Sequence, residues 1–326
     1  MKRFALRLIQ NCGGFAFARV MSAKMARILM YHNFSGPGET GADAVNATAL
    51  RRQLAYLRRQ FHIVPLACIF EHLKTGTPLE RLTVALTIDD GRRNCYEFLF
   101  PLLKEFGIPA TFFVVSSFIR REDWVWTDKV LWLSEHPTRT DDLSAEKIDT
   151  LFATLNRLRP EVRTAFIDAT AARMGVAIPK EAPSKYAPCS WGELREMADS
   201  GLVEIGSHTV THPILASITE AESWQEITVS RTQIEQALVR QVESFCFPNG
   251  KPGDYRPCQL QQVRDAGYAG AVAADFGMVT NEANPYALPR LGVSGCSDIL
   301  SFSKYLDGAE YYQTRLQRSL HLRSLL

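Results

Sequence analysis

The chain has no Cys-x-x-Cys pair, no repeated or low-complexity tract, and no uninterrupted apolar run long enough to cross a bilayer. Its seven cysteines (Cys12, Cys68, Cys95, Cys189, Cys246, Cys258 and Cys296) are scattered. That argues against a zinc ribbon or a compact disulfide framework and suits a reducing compartment. Charge of one sign is also scarce: 37 Lys and Arg against 35 Asp and Glu leave a net +2. No broad basic field is available, so nucleic acid is not an expected partner. The basic, apolar N-terminus is interrupted by Arg7, Arg19, Lys24 and Arg27, which spoils any signal-like or spanning core. Residues 1–25 read instead as a helical segment, packed on its own domain or lying on a membrane surface. A cytoplasmic location, with membrane association as its variant, is the expectation.

The 326 residues are 46% hydrophobic and 22% charged, an ordinary globular composition with material for a large core. Short apolar runs alternate with helical patterns, which predicts an α/β fold with parallel strands. Strands are expected at Ala26 to Tyr31, Thr83 to Ile88, Ala110 to Val115, Leu202 to Ile205, Glu243 to Phe247, Gly270 to Ala274 and Leu288 to Val293. Helices are expected between them, among them one from Asn46, as N-cap, to Gln60. Residues 119–188 break this rhythm and read as a helical insertion over one face. Seven or eight such units suffice to close a distorted (β/α)7–8 TIM-like barrel over residues 26–305, with a C-terminal helix over 306–326.

The stretch Thr83-Val-Ala-Leu-Thr-Ile-Asp-Asp-Gly91 runs a buried-looking strand into two adjacent carboxylates. Like charges at such a place need compensation. An ordinary helix N-cap with a first-turn acid is one reading of Asp89 and Asp90. After another predicted strand, Gly206-Ser-His-Thr-Val-Thr-His-Pro213 places His208 and His212 four residues apart. On one helical turn that spacing turns both imidazoles to one side, suited to a divalent metal, whereas two solvent-facing loop histidines are the plainer alternative. Coordination of a metal by Asp90 would neutralise one carboxylate and leave Asp89 ionised beside a cation. One oxygen and two nitrogen donors leave positions open for water and substrate, as in a catalytic site.

Leu86-Thr-Ile-Asp-Asp-Gly91 and Ser207-His-Thr-Val-Thr-His-Pro213 resemble the T-F-D-D-G and H-S/T-x-x-H-P motifs of the polysaccharide deacetylases with a NodB-homology domain, carbohydrate esterase family 4. Phe247-Pro-Asn-Gly250 looks like the third motif of that family, and Leu288-Pro-Arg-Leu291 is similar to a segment in many of its members. The likeness spans about Ala26 to Tyr305 and leaves the insertion largely uncovered. It implies a NodB-type barrel and metal-dependent hydrolysis of an acetamido group on a sugar. Carried over by position, Asp90, His208 and His212 hold the metal and Asp89 is the general base. Zinc suits the donors, with cobalt, nickel or manganese as alternatives. The backbone N–H of Asn249 is the candidate oxyanion donor, and a plain turn is its alternative.

The pattern departs from the family at the leaving-group acid. The expected late L-x-H histidine is absent, and beyond His212 the only histidine is His321, in a peripheral Ser-Leu-His. Met30-Tyr-His-Asn33 is similar to relatives in which an early histidine lines the pocket, so His32 is the expected acid. Arg290 would orient or tune Asp89, as an arginine does in the family, unless it makes an ordinary surface salt bridge. Trp124, Trp126 and Asp128 would line a sugar site unless they are core residues. The expected substrate is an N-acetylated saccharide or glycan, polymeric or lipid-linked. The basic Arg315 to Arg323 stretch adds to the expected membrane-surface contact. O-acetyl esters, non-sugar amides and a decayed glycan-binding site remain as alternatives.

Overall fold

A computed structural model describes residues 14–37, 44–136, 145–293 and 298–315. The strands are β1 (Arg27–Tyr31), β2 (Asn33–Ser35), β3 (Ala44–Asn46), β4 (His62–Ile63), β5 (Thr83–Ile88), β6 (Ala110–Val114), β7 (Val203–Ser207), β8 (Ser244–Cys246), β9 (Gly270–Phe276) and β10 (Leu288–Gly292). In β5 and β6 every residue is buried, as continuous apolar runs predict for parallel strands covered on both faces. The pairing order β1-β10-β9-β8-β7-β6-β5 closes on itself, because β1 also pairs in parallel with β5 from Arg27↔Val84 to Tyr31↔Ile88. Seven strands therefore form the barrel. β4 adds to the start of β5 as an outer strand, and β2 with β3 makes a separate two-stranded ribbon.

Strand alternation sorts the core. Ile28, Ala85, Phe113, Cys246, Val272 and Leu288 cluster with Leu66, Ile69 and Phe70 of the helix Leu66–Thr75, which fills the bottom of the barrel. Their neighbours Leu29, Tyr31, Leu86 and Phe112 pack outward against the surrounding helices. The inward phase, followed to the strand ends, carries Met30 and His32 after Ile28, Thr87 and Asp89 after Ala85, and Arg290 after Leu288. Functional side chains thus emerge at the C-terminal mouth.

Asn46 caps the helix Ala47–Gln60 as the sequence predicts, its side chain accepting from Ala49 N at 2.9 Å. The insertion contributes the helices Trp126–Ser134, Ala145–Leu155 and Pro160–Met174 around a core of its own, with Phe118, Trp124, Trp126, Trp132, Ile167 and Tyr186. At the N-terminus, the helix Gly14–Met21 is tied down by Arg19, which reaches Asp307 at 3.0 Å. Of the segments expected at 1–25 and 306–326, residues 1–13 and 316–326, with His321, lie outside the described residues. Among the described residues no helix is long and apolar enough to cross a membrane.

Candidate metal centre and active site

Gly91, at φ +94°, allows the turn after β5, and a Cβ there would stand 2.9 Å from the Ile119 side chain. Asp90 itself has φ +80°, an unusual conformation for a residue with a side chain. By strand alternation Asp90 would point away from the mouth. The left-handed turn brings its carboxylate back beside that of Asp89, and both border the same cleft.

Each carboxylate has its own buried arginine. Arg290 grips Asp89 with a fork, Nη1 donating to Oδ1 at 2.8 Å and Nη2 to Oδ2 at 2.7 Å, while its Nε donates to the Ala273 carbonyl at 2.8 Å. Arg290 is 2% exposed, which removes the surface-bridge alternative. Burial alone would raise the Asp89 pKa, but the Arg290 guanidinium outweighs it and holds the carboxyl well below the usual carboxylate range. Arg92 Nη1 lies 2.9 Å from Asp90 Oδ2 and likewise reverses the upward push of burial on Asp90. The repulsion evident in the sequence is therefore met by two guanidinium groups. Neither carboxylate serves as a plain helix cap.

The histidine pair corrects an expectation. Residues 208–214 are not a helical turn; Thr209 and His212 lie at φ +69° and +58°. The loop is fixed by side chains instead: His212 N donates to Thr209 Oγ1 at 3.0 Å, and Glu226, from the helix Glu220–Leu238, accepts from Val210 N at 2.7 Å and Thr211 N at 2.9 Å. The rings still converge, their centroids 4.8 Å apart, and both are buried. His208 Nδ1 stands 2.7 Å from the Cys246 carbonyl. A carbonyl only accepts, so the proton is on Nδ1 and the Nε2 lone pair is left free. Burial lowers the pKa of both imidazoles, for His212 to about 3, which keeps them neutral donors.

The donor set fits a divalent ion. His208 Nε2 and His212 Nε2 each lie 3.6 Å from the same atom, Asp90 Oδ1, and the three side chains form one buried group within ligating reach. That spacing is long for a hydrogen bond. Zinc–ligand bonds of about 2.0–2.2 Å at tetrahedral angles would set neighbouring donors roughly 3.3–3.6 Å apart. His212 Nδ1 is buried without a hydrogen-bond partner, so this second imidazole lacks the anchor that Cys246 gives the first.

His32 stands at the rim, its side chain 33% exposed, with Nε2 3.6 Å from Asp89 Oδ2. Asn249, at φ +57° in the turn after β8, borders the same cleft. This cleft of about 630 Å³ is walled on one side by Trp126, Leu131, Phe152 and Asn156 of the insertion. Of the three insertion residues singled out from sequence, only Trp126 lines it. Trp124 is buried in the core of the insertion with Nε1 donating to the Pro179 carbonyl, and Asp128 is fully buried against Arg92. Arg92 and Cys246, whose thiol is 3.5 Å from Asp89 Oδ2, were not legible in the sequence. A cation or thiol carries no sign of its burial in a single sequence.

The polysaccharide deacetylase family matches residues 76–271, a span that holds Asp89, Asp90, His208, His212 and Asn249 and leaves His32 and Arg290 outside. The poly-beta-1,6-N-acetyl-D-glucosamine N-deacetylase of Escherichia coli (strain K12) is 39% identical over 77 residues, 23% of this chain and 12% of that protein. The putative polysaccharide deacetylase YxkH of Bacillus subtilis (strain 168) is 26% identical over 115 residues, 35% of this chain and 40% of that protein. The chain thus spans well under half the length of these relatives. Among solved structures, IcaB from Ammonifex degensii superposes with a TM-score of 0.59 at 17% identity, covering 87% of this chain and 97% of that one. The Streptococcus pyogenes deacetylase PplD in complex with acetate gives a TM-score of 0.57 at 18% identity, covering 83% of this chain and 92% of that one. These two likenesses establish a shared fold. The family match, which covers more than half of the chain, places it in the polysaccharide deacetylase family.

Proposed function

We propose that the protein is a metal-dependent N-deacetylase that hydrolyses the acetamido group of an N-acetylhexosamine-containing glycan to a free amine and acetate. The observation that carries this reading is the presence, in one cleft, of an arginine-held carboxylate, Asp89, beside the donor cluster of Asp90, His208 and His212. A divalent ion held by those three, zinc by donor type or else cobalt, nickel or manganese, would polarise the amide carbonyl and acidify water. Asp89, kept ionised by Arg290, accepts a proton from the attacking water. The backbone N–H of Asn249, from the turn that borders the cleft, donates to the negative charge that develops on the carbonyl oxygen. His32, beside Asp89 at the rim, delivers a proton to the leaving nitrogen as the carbon–nitrogen bond breaks.

The cleft volume suits a sugar unit, and the Trp126 and Phe152 rings in its wall suit the apolar faces of pyranose rings. The name of the Escherichia coli relative supports N-acetylglucosamine as the sugar. The helix Gly14–Met21 exposes Phe17, Val20 and Met21, and Lys2, Arg3 and Arg7 precede it in sequence. This supports contact with an anionic membrane surface, where a lipid-linked glycan would be presented.

Acetate release from β-1,6- and β-1,4-linked N-acetylglucosamine oligomers, with zinc supplied, tests the reading. Asp89→Asn should lower the rate by about 10²–10⁴-fold while retaining metal, and His208→Ala should lose metal and activity together. Full activity in either variant rejects the assignment, and release from O-acetyl sugars alone would make the protein an esterase.

A further inference from the structure

Arg92 stands between the barrel and the insertion. Its Nη1 faces Asp90 Oδ2 at 2.9 Å, while Nε and Nη2 donate to the two carboxylate oxygens of Asp128 at 3.0 Å and 2.5 Å. Asp128 lies in the first turn of the helix Trp126–Ser134 and is 0% exposed. Two residues earlier in that turn, Trp126 Nε1 donates to the His212 carbonyl at 3.1 Å. One turn of the insertion therefore touches the backbone of one candidate metal ligand and, through a guanidinium, the carboxylate of another.

Burying three charges together is a poor route to stability, since apolar side chains of like volume commonly do as well. The arrangement does achieve something apolar packing cannot. With Oδ2 of Asp90 occupied by Arg92, Oδ1 is left as the oxygen 3.6 Å from both imidazole Nε2 atoms. A guanidinium can span two carboxylates with fixed geometry, whereas an ammonium group acts as a point charge. We propose that Asp128, acting through Arg92, is a positioning residue for the Asp90 carboxylate, so that the insertion is part of the metal site as well as a wall of the cleft. The inference rests on the metal-site reading above.

Zinc affinity of the apoprotein, measured by competition with a chromophoric chelator, tests it in wild type, Asp128→Asn, Arg92→Lys and the double variant, alongside thermal unfolding of each. The two single variants should each weaken zinc binding by about 10–100-fold, the usual effect of removing the partner of a ligand. The double variant should be no weaker than the worse single one, because both act through one contact. Leu133→Ala, on the same helix but in the core of the insertion, should unfold at lower temperature and bind zinc as wild type does. Wild-type zinc affinity in a folded Asp128→Asn or Arg92→Lys protein overturns the proposal. A loss in Leu133→Ala as large as in Asp128→Asn overturns it too, because loosening the insertion would then suffice. Should Asp128→Asn not fold, Arg92→Lys decides by the same outcomes. No zinc binding by wild type would remove the metal-site reading itself, and this inference with it.

Discussion

Asp89 and Asp90 are adjacent in sequence, yet their surroundings are built from different parts of the molecule. Everything that holds Asp89 belongs to the barrel: Arg290 from β10, with Thr87 from β5 and Cys246 from β8 alongside. Asp90 depends on Arg92, which reaches out of the barrel to Asp128 in the insertion. Strands paired on both edges fix the first carboxylate as rigidly as the closed sheet allows. The second is tied to a helical layer with a core of its own. The carboxylate proposed to move protons is thus held by the closed sheet, and the one proposed to hold metal is tied to the helical layer beside it.

Arg290→Gln should break that comparison most severely. It leaves a buried carboxylate without its partner, at a cost of about 3–5 kcal/mol in stability at neutral pH. The pH dependence should also change sign. In wild type the depressed pKa of Asp89 means that the pair contributes fully above the unfolded carboxyl value of about 3.9, and the contribution fades as pH falls below it toward the folded value. Without the guanidinium, burial dominates and raises the folded pKa, so the variant should gain stability on acidification from neutral pH toward that unfolded value. The acid limb of its rate profile should move up as well. Urea unfolding at pH 7 and pH 5 measures the first effect and a pH–rate profile the second; a variant with wild-type pH dependence would detach Arg290 from Asp89.

Trp126→Phe probes the insertion side with a smaller change. Phe retains a ring under the Arg163 guanidinium, which lies 4.4 Å from the indole ring, but it removes the donor to the His212 carbonyl. An unpaired buried carbonyl costs about 1–3 kcal/mol. Urea unfolding should register that loss, whereas unchanged stability would mean that the insertion does not hold the histidine loop through this bond.

The same division governs what could be read in advance. Thr83 to Ile88 was legible because a strand buried on both faces is an unbroken apolar run, and Asp89, Asp90, His208 and His212 were legible because they stand directly after such runs. β2, β3 and β4, at two or three residues each, are too short for any period to show. The spacing of His208 and His212 alone predicts a helical turn. The loop's positive φ angles at Thr209 and His212 are imposed by bonds to Thr209 and Glu226, the second of them far along the chain. The insertion registered only as a break in rhythm. The link from Asp128 to Arg92 crosses 36 positions and joins side chains of a kind usually solvated, so nothing local announces it.

The smallest expected effect sets the background for these comparisons. Asn46 caps the helix Ala47–Gln60 through a single bond to Ala49 N, away from both arginines. Asn46→Ala should cost about 1 kcal/mol, the usual worth of such a cap. Because the cap holds a surface helix and touches neither carboxylate, the rate, its pH profile and zinc affinity should stay as in wild type while the urea midpoint falls. If a loss this size in the outer layer did shift the rate profile, the site would be answering to general loosening of the barrel. The distinction between a carboxylate fixed by strands and one tied to the insertion would then lose its physical basis.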